Sequence, residues 1–196
     1  IDLKELGCDF YAGSLHKWLN GPPGTGFLYI SQGVQDLIWP TVSEGYPSPQ
    51  NKKLEFQIRG QQCTPAYTGL IDAIDFQKAI GKERIEERVL SLSNYLKEKI
   101  IETWPDAYLY SPVDEELSTG LVSFNPFDDP YAKEKPSAVS KALREEHNII
   151  IRYIWFKDKQ SDPHDLRALR VSTHIYNNFD EIDRLISILQ NIIQTL

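Results

Sequence analysis

The sequence predicts a mixed α/β chain that ends in a small α+β domain. Three observations carry that reading. Residues 27–30 form a short, wholly apolar run, the pattern of a strand buried on both faces. Two long amphipathic helical patterns follow, over 66–80 and 82–102. From residue 107 the order becomes strand, strand, helix, strand, strand, helix, which suggests a small α+β domain.

Taken in order, residues 1–12 read as a short helical end with Leu3 and Leu6, running into a strand over 8–12. Residues 32–39 suggest a brief helix stopped by Pro40. The stretch 40–65 holds Pro40, Pro47, Pro49 and Pro65 and few periodic apolar positions, so it reads as a long loop. The helix over 66–80 places Leu70, Ile71 and Ile74 at helical spacing and ends at Gly81. The next one carries Ile85, Val89, Leu92, Leu96 and Ile100 on one stripe and closes at Trp104-Pro105. Strands are expected over 108–110, 120–124, 149–155 and 169–172, and helices over 137–147 and 180–196. Asn177–Asp180 supplies the start of the last helix, with Glu181 favourable in its first turn.

Composition limits the function classes. A net charge of −7 argues against nucleic acid or anionic membrane as the main partner. The longest apolar run, 149–156, is interrupted by Arg152 and is far too short to cross a bilayer. Cys8 and Cys63 form neither a disulfide framework nor a metal-ligand spacing, which points to a reducing, cytoplasmic setting with no metal. The chain has no methionine and opens on Ile1, so a removed leader or a start within a larger protein is expected.

Among the motifs, Gly21-Pro-Pro-Gly-Thr-Gly26 copies the glycine skeleton of a P-loop. Phe27 and Leu28 stand where the lysine and hydroxyl belong, and a strand follows instead of a helix, so a tight turn between strands is expected. Just upstream, Ser14-Leu15-His16-Lys17 puts a hydroxyl, an imidazole and an amine at the end of a strand. A lone lysine is ordinarily a solvated charge, but this set suits a phosphate and an aldehyde held as an imine. Imine formation requires the neutral amine and hence a desolvated or cation-flanked site. His174 is expected to pack, His147 and His164 to be solvated, and Asp128-Asp129 to form a turn beside Pro126 and Pro130.

The string from Cys8 to Lys17, followed by Gly24-Thr-Gly26-Phe-Leu28, resembles the signature of the class V aminotransferases, a pyridoxal-phosphate-dependent superfamily of fold type I. The resemblance continues through Gly60-Gln-Gln-Cys-Thr-Pro-Ala-Tyr and Gly69-Leu-Ile-Asp, and through Leu169-Arg-Val-Ser-Thr-His-Ile-Tyr-Asn177. Leu15 departs from the small residue usual in the family, and Gln61 takes the place of its threonine. The overall likeness leans toward the isopenicillin N epimerase-like and cystine lyase-like branch.

That resemblance implies an α/β fold: residues 1–85 as the C-terminal part of a large, aspartate aminotransferase-like cofactor domain, and 86–196 as a small α+β domain. It implies pyridoxal 5'-phosphate as cofactor, an amino acid as substrate and a homodimer as the assembly. Lys17 would form the internal aldimine, with Ser14 and His16 against the cofactor phosphate. Gly60 and Gln61 would reach the neighbouring subunit's phosphate. Arg170 would clamp the substrate α-carboxylate, and guanidinium suits planar bidentate recognition of that group. Arg152 stands where some members place a second carboxylate-contacting arginine; pairing with an acidic neighbour is the equal alternative. Residues 153–169 contain no cysteine, which disfavours the sulfur attack of cysteine desulfurases and leaves epimerase, transaminase and C–S lyase chemistry. In the family the ring-tuning groups precede the lysine, so the chain is expected to be the C-terminal half of a longer enzyme, inactive alone. A non-catalytic dimerisation or binding module of the same fold is the alternative.

Overall fold

The computed structural model describes residues 1–41, 56–57 and 60–196. The chain divides into two compact units, Ile1–Gly81 and Lys82–Leu196. The division falls at Gly81, a few residues ahead of the 85/86 boundary, so the long helix from Lys82 belongs wholly to the second unit.

In the first unit, helix α1 (Leu3–Leu6) starts at Asp2, whose carboxylate accepts from the backbone of Lys4 at 2.8 Å and Glu5 at 3.2 Å. Strands β1 (Phe10–Ser14) and β2 (Gly26–Ile30) form an antiparallel pair, with Phe10 opposite Ile30 and Ser14 opposite Gly26. Asp9 closes the far end, receiving both the backbone N–H and the hydroxyl of Ser31 at 2.8 Å. The expected burial of β2 on both faces is not found: Phe27 is 41% and Leu28 56% exposed. Among the described residues β2 has β1 as its one strand partner, so these side chains belong to a two-stranded sheet.

The helix expected over 32–39 shrinks to one 3-10 turn, Gln32–Val34; Ser31 gives it no side-chain cap, and Gly33 lies inside it. Most of the expected 40–65 loop lies outside the described residues. Helix α2 (Thr64–Ile80) begins two residues early because Pro65 serves as its first turn, where a missing N–H is harmless. It meets the β1–β2 turn through Gln77, whose amide donates to the carbonyls of Trp18 at 3.3 Å and Leu19 at 3.5 Å.

The second unit is a four-stranded antiparallel sheet in the order β3-β4-β6-β5. Its strands are β3 (Tyr108–Leu109), β4 (Leu121–Asn125), β5 (Arg152–Phe156) and β6 (Leu166–Ser172). Helices α3 (Lys82–Thr103), α4 (Glu134–His147) and α5 (Phe179–Gln194) supply the other side of the core. Alternation puts Val122, Phe124 and Leu169 on the helix side, each fully buried. Against them pack Leu92, Leu96 and Ile100 of α3, Val139 and Leu143 of α4, and Ile182, Leu185 and Leu189 of α5. Of the predicted stripe of α3, Leu92, Leu96 and Ile100 lie in this core and Val89 is buried, whereas Ile85 is half-buried, and Lys97 is buried beside the stripe.

Element ends differ from the sequence reading for local reasons. Helix α4 takes Pro136 into its first turn, where no intrahelical acceptor awaits the N–H. At its other end Asn148 adopts φ 56°, and the Ile149 N–H turns back to Leu143 O at 2.9 Å, so β5 cannot begin before Arg152. Helix α5 opens with a reciprocal cap: Glu181 N–H donates to Asn178 Oδ1 at 2.9 Å, and Asn178 N–H donates to Glu181 Oε2 at 3.1 Å.

The energetic ranking is testable by urea unfolding. Phe124→Ala should cost about 3–5 kcal/mol, and Asn178→Ala about 1 kcal/mol. Phe27→Ala should stay within about 0.5 kcal/mol; a loss at Phe27 as large as at Phe124 would contradict the placement of the core.

Candidate active site

The loop between β1 and β2 is fixed at its base by backbone bonds. Leu15 N–H donates to Thr25 O at 3.0 Å, and Gly21 N–H donates to Leu15 O at 2.9 Å. Inside that ring, Asn20 N–H donates to Lys17 O at 3.1 Å, a tight turn in which Asn20 takes the left-handed φ of 62°. The Pro22–Thr25 turn is closed by the buried Thr25 hydroxyl, which donates to Pro22 O at 2.7 Å. The P-loop-like string is thus a turn leading into a strand, as expected, and not the start of a helix.

This frame presents three polar side chains close together, at Ser14, His16 and Lys17. Ser14 ends β1, and Ser14, His16 and Lys17 are all exposed. His16 Nδ1 lies 3.1 Å from Thr25 O. A carbonyl only accepts, so this bond places a proton on Nδ1 and leaves Nε2 as the outward-facing nitrogen. Thr25 was not among the residues singled out from the sequence. Its carbonyl receives both Leu15 and His16, and the single sequence signal is its place between Gly24 and Gly26. Gly60, with φ 60°, and Gln61 are exposed ahead of α2, and no hydrogen bond joins either to Ser14, His16 or Lys17.

The second unit holds the two arginines. Arg170 lies in the middle of β6, opposite Ser123 on β4 and opposite Arg152 on β5. Paired residues share a face, so both guanidinium groups belong to the side of the sheet away from the helices. Like charges directly opposite repel, and an anion between them removes that cost. Arg170 is half-buried and its Nε is buried with no hydrogen-bond partner, a donor that calls for an acceptor. Arg152 is exposed and borders a groove with Lys141, Arg144, Ser137 and Ser140. The acidic partner left open by the sequence is absent: no ion pair involves Arg152 among the described residues.

The remaining candidates are structural or solvated. His174 is 7% exposed, stacks on Tyr176 at 4.4 Å, and its Nδ1 accepts the Ile175 N–H at 2.9 Å. His164 is exposed, while His147 is half-buried in the last turn of α4. Asp129 caps a turn by accepting the Tyr131 N–H at 2.8 Å, and no cluster of three metal-ligating side chains occurs among the described residues. Both cysteines are free thiols. No helix among the described residues is long and apolar enough to cross a membrane.

Comparison with known proteins places these groups in context. The family described as Aminotransferase class-V matches residues 1–185. The chain is 30% identical over 209 residues to the isopenicillin N epimerase of Amycolatopsis lactamdurans, covering 98% of this chain and 49% of that protein. Its fold matches a cysteine desulfurase from Thermococcus onnurineus NA1 with a TM-score of 0.75 and 25% identity, over 99% of this chain and 49% of the other. A cystine C-S lyase, solved with its product cysteine persulfide, gives a TM-score of 0.75 and 26% identity over 96% of this chain and 48% of the lyase. The chain spans about half the length of the relatives it matches.

The loop geometry makes a specific demand at Gly21. A Cβ there would sit 2.8 Å from Leu15 O and 2.7 Å from the Leu70 side chain. Gly21→Ala should therefore loosen the loop by about 1–3 kcal/mol, seen as faster hydrogen exchange at the amides of residues 15 and 21. Unchanged protection of both amides would refute the frame described above.

Proposed function

This chain belongs to the class V aminotransferases, and on that premise we propose that it carries the amine and the carboxylate clamp of a pyridoxal-phosphate-dependent enzyme acting on amino acids. The observation that carries this reading is the β1–β2 loop, which fixes Ser14, His16 and Lys17 together at one strand end. The residues fit the group: a primary amine for the aldehyde and the Ser14 hydroxyl as donor to the phosphate, with His16 beside them. The outward nitrogen of His16 donates to a phosphate oxygen in the imidazolium form, where both ring nitrogens carry a proton. When bound, the cofactor supplies an electron sink for breaking a bond at the substrate Cα.

The chain's own residues divide the work. Lys17 holds the aldehyde and moves the Cα proton, since it is the base of the set. Thr25 O holds His16 Nδ1–H and so fixes which imidazole nitrogen faces outward. Arg170 binds the α-carboxylate, its orphaned Nε offering one of the two parallel donors of a bidentate pair. Arg152, directly opposite, adds the second positive charge. Gly60 and Gln61 serve the phosphate site of a partner copy in a homodimer. The reaction classes in range are epimerisation, transamination and C–S lysis. Lys17 is exposed here, whereas an imine-forming amine needs a desolvated site, which supports weak cofactor binding and little turnover by this chain alone.

Borohydride reduction in the presence of pyridoxal phosphate, followed by peptide mapping, tests the assignment. The label should fall mainly on Lys17, vanish in Lys17→Ala and persist in Arg170→Gln. Equal labelling of several lysines, unchanged in Lys17→Ala, would overturn it. In Arg170→Gln, amino-acid substrates added before the borohydride should lose about tenfold or more in their ability to prevent labelling.

A further inference from the structure

A second set of unfulfilled groups lies in the second unit, apart from Lys17, Arg152 and Arg170. A pocket of about 410 Å³ opens over the side of the sheet away from the helices, between Leu121 on β4 and Ile154 and Phe156 on β5. That volume is in the range of small-molecule sites. Tyr110, which follows β3, and Lys97 of α3 also wall it. The Tyr110 ring meets Phe156 edge-on at 5.1 Å, and its hydroxyl is buried with no partner. Burial pushes that phenol up to about 12, so it remains a proton donor near neutral pH.

Lys97 is the more unusual group. It is 2% exposed, and its ammonium donates to Asn94 Oδ1 at 3.2 Å and Ser118 Oγ at 2.7 Å, both neutral oxygens. An ammonium has three donors, so one remains uncommitted, and no ion pair compensates it among the described residues. Burial lowers its pKa, opposed by the more distant charge of Glu115. A buried cation without a counter-ion is costly, and an anion beside it relieves that cost. One unpaired positive charge and one orphaned hydroxyl, set beside the apolar Leu121, Ile154 and Phe156, describe the complement of a carboxylate on an apolar body.

We propose that this pocket binds a small organic carboxylate with an aromatic or aliphatic body, its carboxylate held by Lys97 and Tyr110. The site uses none of the groups assigned to the amino-acid reaction and stands independently of that reading. Ser123, directly opposite Arg170, lies in its wall, so the pocket borders the proposed clamp along β4.

Titration calorimetry on the 196-residue chain without cofactor tests the proposal. The probes are 3-phenylpropionate, the neutral 3-phenylpropanol and the cationic phenethylamine. The acid should bind with Kd of about 1 mM or tighter, and the alcohol and amine at least about tenfold more weakly. Lys97→Met and Tyr110→Phe should each weaken the acid about fivefold or more, while Lys78→Met, at an exposed lysine of α2 outside the pocket, leaves it unchanged. Equal binding of acid and alcohol, or no binding of the acid, overturns the proposal, as does loss of binding in Lys78→Met. If Lys97→Met does not fold, Tyr110→Phe and the pocket-filling Ile154→Trp decide, and unchanged acid binding in both refutes the site. Lys17 labelling is read separately, so each reading can fail alone.

Discussion

The alternation of β6 is the constraint on which the second unit depends. This strand is paired on both sides, with β4 and with β5, and its successive residues are Ala168, Leu169, Arg170 and Val171. Leu169 completes a core with three helices, while Arg170 faces the other way. A slip of one residue would exchange them, burying a guanidinium among leucines and exposing the leucine. The apolar core therefore does more than stabilise the sheet: it fixes the face and register at which the two arginines stand opposite each other. Core packing and the placement of the two arginines are set by the same hydrogen-bond ladder.

The first unit solves a different problem. Its loop has few buried side chains, and the presentation of Lys17 rests on backbone bonds clustered around Leu15, Gly21 and Thr25. Small residues are needed where the chain doubles back, and a left-handed Asn20 supplies the sharpest bend. Such a frame holds its shape through hydrogen bonds more than through packing. That leaves its functional groups open to whatever surface covers them.

Much of this was legible in the sequence. The stripe of α3, the strand order from residue 107, the cap of α5 and the turn character of the glycine string all follow from local periodicity and chemistry. The motif of Ser14, His16 and Lys17 was legible as a string, because three reactive types so close together are rare in a turn. What was not legible depends on distant partners. The exposure of β2 depends on which layers lie beside it, and its apolar composition alone suggested the opposite. The alignment of Ser123, Arg170 and Arg152 joins β4 and β5 through a strand that comes after both in the chain. No local pattern encodes that register. The role of Thr25 lies in its carbonyl, which carries no residue signature.

Among the described residues, both strands of the first sheet have one partner each, so each leaves one side of its backbone without a strand neighbour there. Those free edges, flanked by the exposed Phe27 and Leu28, form a template for strand addition. An isolated hairpin of this kind is only marginally stable in water. Whatever strand completes the sheet also sets the rigidity of the loop bearing Lys17. Closing the edges beside it would add stiffness to a loop that its own backbone bonds already hold, so sheet width bears on how firmly that amine is presented.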